Sequence, residues 1–239
     1  MPGAIGQPTL IVSTPRGEPR GVAVVLHGGR ENSVAQVRAR HLAVVRMQPF
    51  ATALRRAGAS SGLVVARVRY RVRGWNGAEQ SPVGDVEQAL GELGVRFPNL
   101  PVALVGHSMG GRAAVYAAGA ANVRAVVLLA PWLEEGDPVE TLRDRRVLIA
   151  HGDRDRVTSA RASAAYAHAA EAVIGSGSMS FVGVTGESHA MVRRARVWHE
   201  LSTGFVLSAL FGADPDATAP AEVGKVLTRA LAGQLALVV

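Results

Sequence analysis

The feature that most limits what this chain can fold into is the stretch Val102-Ala-Leu-Val-Gly-His-Ser-Met-Gly-Gly-Arg112. A short apolar run ends at Gly106, and Ala113 to Gly119 reads as a helix. Between them lies Gly106-His107-Ser108-Met109-Gly110, a G-x-S-x-G spelled between a strand and a helix. In that setting the serine occupies a strained turn with its hydroxyl projecting. Glycines flank it because a side chain would collide with the neighbouring strand and helix at so sharp a reversal. The helix that begins after Ser108 also points free N–H groups and its positive dipole end at any oxyanion formed there. Ser108 therefore reads as a nucleophile.

Spelling alone does not decide this in a chain with 27 glycines, because Gly58-Ala59-Ser60-Ser61-Gly62 matches equally well. That copy follows a helix-like segment, Phe50 to Ala57, and precedes a strand, Leu63 to Val68, so the order of elements is reversed. It reads as a helix stop followed by a loop. Context leaves Ser108.

The rest of the chain alternates strand and helix. Thr9 to Ser13 and the continuously apolar Val22 to Leu26 flank a turn rich in Pro and Gly, an antiparallel start leading into a central sheet. The run from Glu31 to Gln48 is mixed and shows no period, and Pro49 opens the helix to Ala57. After the strand Leu63 to Val68, Arg67, Arg69, Arg71 and Arg73 alternate with Val68, Tyr70 and Val72, so this end leaves the buried sheet. A helix over Pro82 to Val95 carries Asp85 as a surface or helix-start residue, and Leu100 to Val105 is the strand into Ser108. Val123 to Leu129, Val147 to Ala150 and Met179 to Val184 are further strands, with helices over Ser159 to Ile174 and Arg193 to Leu210. All-apolar strands separated by helices predict an α/β fold with a mainly parallel central sheet and helices on both faces.

In such sheets function gathers at the carboxyl ends of the strands. Four strands here run into polar, glycine-bearing loops: His27-Gly28-Gly29-Arg30, the turn at Ser108, His151-Gly152-Asp153-Arg154-Asp155, and Thr185-Gly186-Glu187-Ser188-His189. Acyl transfer needs this set. A serine hydroxyl is a poor nucleophile until a histidine takes its proton, and the imidazole needs a carboxylate to fix its tautomer and stabilise its charge. The oxyanion needs preplaced N–H donors. Here these are Met109, after the nucleophile, and Gly29, with Arg30 as the alternative. Of seven histidines, His189 alone follows the last strand in such a loop, while His41, His168 and His199 read as surface or packing residues. The acid is Asp155 or Asp153.

On His27-Gly28-Gly29, Gly106 to Gly111, His151-Gly152-x-x-Asp155-x-Val157 and the late His189, in that order, the sequence resembles the α/β-hydrolase superfamily. It is most similar to small serine esterases of the dienelactone-hydrolase-like or lysophospholipase-like kind, over about Val22 to Leu210. The resemblance implies an α/β-hydrolase fold and a triad of Ser108, Asp155 and His189. It makes Asp155 the acid and Asp153 a loop-stabilising residue bonded to local backbone, and it gives His27, His107 and His151 structural hydrogen bonds. Only Pro131 to Asp144 lies where many such proteins insert a cap, which is too short for a cap domain. Trp132 and Trp75 are the candidate substrate-binding residues, favouring a modest apolar group. Any of Arg69, Arg71 and Arg73 at the rim would attract an anionic substrate.

The expected activity is hydrolysis of a carboxylic ester or thioester, without cofactor or metal. Acyl transfer, perhydrolysis and a silent binding protein on the same fold are the alternatives. Zero cysteines exclude disulfides and thiolate chemistry. The net charge of +7 comes almost wholly from arginine, with Lys225 the single lysine and no nucleic-acid-binding motif, so no nucleic-acid partner is expected. No apolar run approaches the about 20 residues of a membrane span, and the N-terminus lacks a signal-peptide pattern, so the expected location is cytoplasmic. Residues 1–212 form the expected hydrolase domain. Residues 213–239 add a linker and a helix, with Val223, Val226, Leu227, Ala230 and Leu231 at helical spacing, docked on that domain or meeting a second copy in a homodimer.

Overall fold

The computed structural model describes residues 6–175 and 177–239. Eight strands form one sheet in the order β1-β3-β2-β4-β5-β6-β7-β8. They are β1 (Thr9–Ser13), β2 (Gly21–Leu26), β3 (Leu63–Arg69), β4 (Val102–His107), β5 (Val123–Leu129), β6 (Arg146–Gly152), β7 (Met179–Val184) and β8 (Leu237–Val238). Among the described residues β1 is the one strand that runs antiparallel, against β3, and the other strand pairings are parallel. The helices are α1 (Leu42–Arg46), α2 (Gln48–Ala57), α3 (Ser81–Arg96), α4 (Met109–Ala117), α5 (Ala160–Ile174), α6 (Ala195–Phe211), α7 (Pro215–Thr218) and α8 (Ala221–Leu231).

The parallel strands are apolar on both sides because both faces are covered. On β2, Val22, Val24 and Leu26 join a core with α3, α4 and α5 residues such as Leu93, Ala113 and Ala167. Ala23 and Val25 face the opposite core with Phe50 and Leu54 of α2, Trp198 and Phe205 of α6, and Leu227 of α8. Alternate residues along one strand thus feed two separate cores. The second G-x-S-x-G falls where its context put it: α2 ends at Ala57, Gly58 caps it, and β3 begins at Leu63.

Three elements escaped the sequence reading. The unpatterned run after β2 contains α1, a short α7 precedes α8, and β8 adds a two-residue strand beside β7. The connection from β5 to β6 holds only a single turn of tight helix at Glu140–Leu142, so no cap covers the sheet edge. One expectation is corrected. Asp85 is not a surface residue: it is 1% exposed, and it accepts hydrogen bonds from the Arg71 backbone N–H and from Arg71 Nε. Its place in the first turn of α3 suggested solvent, but Arg71, arriving from beyond the end of β3, covers it.

Candidate active site

Gly106 ends the β4 ladder's apolar run, and Ser108 stands between β4 and α4 with φ 56° and ψ −122°. A serine in this positive-φ region stores strain of about 1–3 kcal/mol, held by what surrounds it. The surroundings explain the flanking glycines. A Cβ on Gly106 would overlap the Gly110 backbone, and one on Gly110 would stand 2.6 Å from the His27 carbonyl oxygen. Strand, turn and helix approach too closely for any side chain.

The acid loop follows β6. Asp155 Oδ1 accepts from the N–H groups of Val157 (2.7 Å) and Thr158 (3.0 Å). Its Oδ2 lies 2.8 Å from His189 Nδ1 and 3.2 Å from His151 Nε2, and it accepts from the Thr158 hydroxyl at 3.0 Å. The carboxylate side chain is fully buried, whereas the His189 side chain is 13% exposed. Burial pushes the Asp155 pKa up. The hydrogen bonds from His151, His189 and the two backbone N–H groups outweigh it and hold the group well below the usual carboxylate range. With a carboxylate at Nδ1, the His189 proton sits there and Nε2 is left as the basic nitrogen.

The loop after β7, which carries His189, is laced to both other loops. Asp153 Oδ1 accepts from Gly186 N–H at 2.7 Å, and Arg154 N–H donates to the Glu187 carbonyl at 2.9 Å. Asp153 is therefore tied across to the base loop rather than to its own turn. His107, the residue before Ser108, donates from Nε2 to the His189 carbonyl at 3.1 Å, and the two rings stand 4.6 Å apart. Burial, then the neighbouring His189 and Arg46, lower the His107 pKa to about 3, so it is a neutral structural donor.

The loop after β2 supplies N–H donors. His27 Nδ1–H donates to the Gly28 carbonyl at 2.7 Å, while its Nε2 accepts from Tyr70 N–H at 3.3 Å. Burial lowers its pKa to about 4, so it too is neutral. With the Gly28 carbonyl held toward His27, the trans peptide directs the Gly29 N–H the opposite way. Among the described residues neither the Gly29 nor the Met109 N–H has an acceptor, whereas Arg30 N–H already donates to the Arg73 carbonyl at 2.8 Å. Gly28 lies against the nucleophile turn: a Cβ built on it would stand 3.2 Å from Ser108 Cβ.

The two tryptophans differ. Trp75 is 4% exposed, packed at 5.2 Å from the Tyr116 ring with the Arg112 guanidinium 4.4 Å above it. Trp132 is half-buried, its backbone N–H donates to the Ser108 carbonyl at 3.1 Å and its indole N–H to Glu134 Oε1 at 3.1 Å, and it borders a depression with Glu31 and Glu134. Two polar residues at the acid were not anticipated as part of this network, His151 and Thr158. His151 Nδ1 meets Ser163 Oγ at 2.9 Å, and the H-G-x-x-D spelling was the available signal. Among the described residues no group of three or more His, Cys, Asp or Glu could hold a metal ion, and no helix is long and apolar enough to cross a membrane.

Residues 17–145, more than half of the chain, match the family model described as serine aminopeptidase, S33. The chain belongs to the serine aminopeptidase S33 family. It is an α/β serine hydrolase of the small kind without a cap. No curated protein sequence matches it. Among solved structures it is similar to a putative α/β hydrolase of unknown function from Agrobacterium tumefaciens, with 15% identity, TM-score 0.66, and 88% of this chain and 94% of that one covered. Est1E from Butyrivibrio proteoclasticus superposes with 16% identity and TM-score 0.62, covering 84% and 94%. A serine hydrolase without lid from Xanthomonas campestris gives 18% identity and TM-score 0.57, covering 82% and 87%. The family match ends before Asp155 and His189 and bears on neither.

Proposed function

We propose that the protein hydrolyses a carboxylic ester or thioester through an acyl-enzyme on Ser108. His189 Nε2 takes the Ser108 proton as Oγ bonds to the acyl carbon, and the Gly29 and Met109 N–H groups hold the oxyanion. His189 then gives that proton to the departing alcohol or thiol. Water attacks the acyl-enzyme, its proton passing to His189 and on to Ser108 as the acid leaves. Asp155 orients the imidazole throughout and stabilises its positive charge.

The observation that carries this reading is the 2.8 Å contact of buried Asp155 with partly exposed His189, on the loop hydrogen-bonded to the residue before the strained Ser108. The test is labelling with a fluorophosphonate probe followed by peptide mapping. Modification at Ser108, ester turnover with a burst, and loss of both in Ser108→Ala are expected. Labelling at Ser60 would overturn the assignment. Acyl transfer to an alcohol or peroxide would appear as a transfer product at the expense of free acid. A binding protein would bind ligand equally well after Ser108→Ala and turn nothing over.

A further inference from the structure

Beside the Gly28–Gly29 loop lies a cleft of about 410 Å³, walled on its far side by the run from Val37 to Val44. Gly28 is shared: it borders the cleft, and a Cβ built on it would meet Ser108 and His107. Three arginines line this space, Arg30, Arg40 and Arg73, together with His41, and no carboxylate lines it. The sequence had pointed to Arg69, Arg71 and Arg73 as the rim, but the structure separates them. Arg69 donates to Thr9, and Arg71 is paired with Asp85. Arg112, on the Trp75 side, is paired with Asp137 and Glu134.

Arg30, Arg40 and Arg73 enter no ion pair among the described residues. Two of them are set side by side by backbone bonds, Arg30 N–H to the Arg73 carbonyl at 2.8 Å and Trp75 N–H to the Arg30 carbonyl at 2.9 Å. Glu31, the nearest acid in sequence, borders the separate depression with Trp132. The pKa of His41 is lowered by loss of hydration and then by Arg73, Arg38, Arg40 and Arg30, which reports the positive field in the cleft. Like charges gathered without counter-charge cost folding energy, and in a cleft they raise the local concentration of an anion. Guanidinium groups also match carboxylate and phosphate in geometry.

We infer that the ester cleaved at Ser108 carries an anionic group, a carboxylate or phosphate, held by Arg30, Arg40 and Arg73, with a short aliphatic segment against Val37, Leu42 and Val44. This rests on Ser108 being the nucleophile. Because the cleft and the Ser108 turn both border Gly28, the charge is expected close to the scissile carbonyl.

The test compares kcat/KM for anionic esters and uncharged counterparts at low ionic strength. Mono-p-nitrophenyl glutarate against p-nitrophenyl pentanoate places the charge on the acyl side. On the alcohol side, 3-(butanoyloxy)propanoate and 2-(butanoyloxy)ethyl phosphate are set against butyl butanoate, and these two separate carboxylate from phosphate. At least one anionic ester is expected to exceed its neutral counterpart about tenfold, chiefly through KM. That ratio falls toward one near 1 M salt. It also falls several-fold in Arg73→Gln and in Arg40→Gln, while Arg56→Gln, an exposed position on α2 away from the cleft, leaves it in place. A ratio near or below one for all three anionic esters, with neutral esters still turned over in a Ser108-dependent way, overturns the anionic substrate and leaves the hydrolase standing. A ratio unmoved by both arginine substitutions overturns it likewise. No turnover of any ester together with no probe labelling at Ser108 removes both readings.

Discussion

Asp155 and Asp85 carry carboxylates closed off to nearly the same degree, with side chains 0% and 1% exposed, yet they face different partners. Asp85 faces a guanidinium, with Arg71 Nε and the Arg71 backbone N–H both donating to it. A guanidinium keeps its proton at any ordinary pH, so the pair can only hold α3 against the chain beyond β3. Asp155 instead faces imidazoles, one of them 13% exposed at an open sheet edge. An imidazole gains and loses a proton near neutral pH, so in the proposed mechanism the same burial would serve proton transfer. On the proposed mechanism, what separates the structural carboxylate from the functional one is whether its partner can exchange a proton and reach a substrate.

The largest effect that would break this division is on turnover. Asp155→Asn is expected to lower kcat by about 10³–10⁴-fold, because an amide no longer selects the Nδ1–H tautomer of His189. The amide can still accept from Val157 and Thr158, so the circular dichroism spectrum should be unchanged. A loss under tenfold on a good ester would dissolve the contrast.

Asp85→Ala should act the other way. Arg71 is a third exposed, so screening limits the loss to about 1–3 kcal/mol in urea unfolding. Turnover per folded molecule should stay within about threefold of the parent; a Tm unchanged beside lost activity would reverse the roles.

The smallest effect lies in the pH dependence of stability. A carboxyl whose folded pKa is depressed adds stability above its unfolded value of about 3.9 and loses it as pH falls through the folded value. The stability difference between the parent and Asp155→Asn should therefore hold steady from pH 7 to 5 and shrink below about pH 4. Above that, the buried histidines govern. His27 and His107, lowered to about 4 and about 3, bind protons in the unfolded chain first. Their contribution is complete above about pH 6.5 and is lost as pH falls toward their folded values. His107→Gln should flatten part of that decline in urea titrations run from pH 7 to 4.

The same contrast explains what could be read from residues alone. The meeting of Asp155 and His189 was legible because each follows an apolar strand in a glycine-bearing loop, a local pattern that the parallel sheet converts into proximity. Asp85 was misread because its cover comes from Arg71, fourteen residues earlier, and nothing near Pro82 announces that. The cleft arginines were half visible. Arg73 stood in an alternating run, but Arg30 and Arg40 lie in a stretch whose path is set by backbone bonds to residues 71–76 rather than by its own period. Strand β8 was missed for a related reason, since two residues carry no period and pair only because β7 offers an edge.

The bond from His107 to the His189 carbonyl has a mechanical consequence. The imidazole of His107 is enclosed, and its other nitrogen already lacks a partner, so swinging the base loop outward would strand both nitrogens at once. The turn at Ser108 and the loop that carries His189 are thereby tied to each other. No such tie to the Ser108 turn holds the segment 31–47 among the described residues, and there Leu42 and Val34 project into solvent.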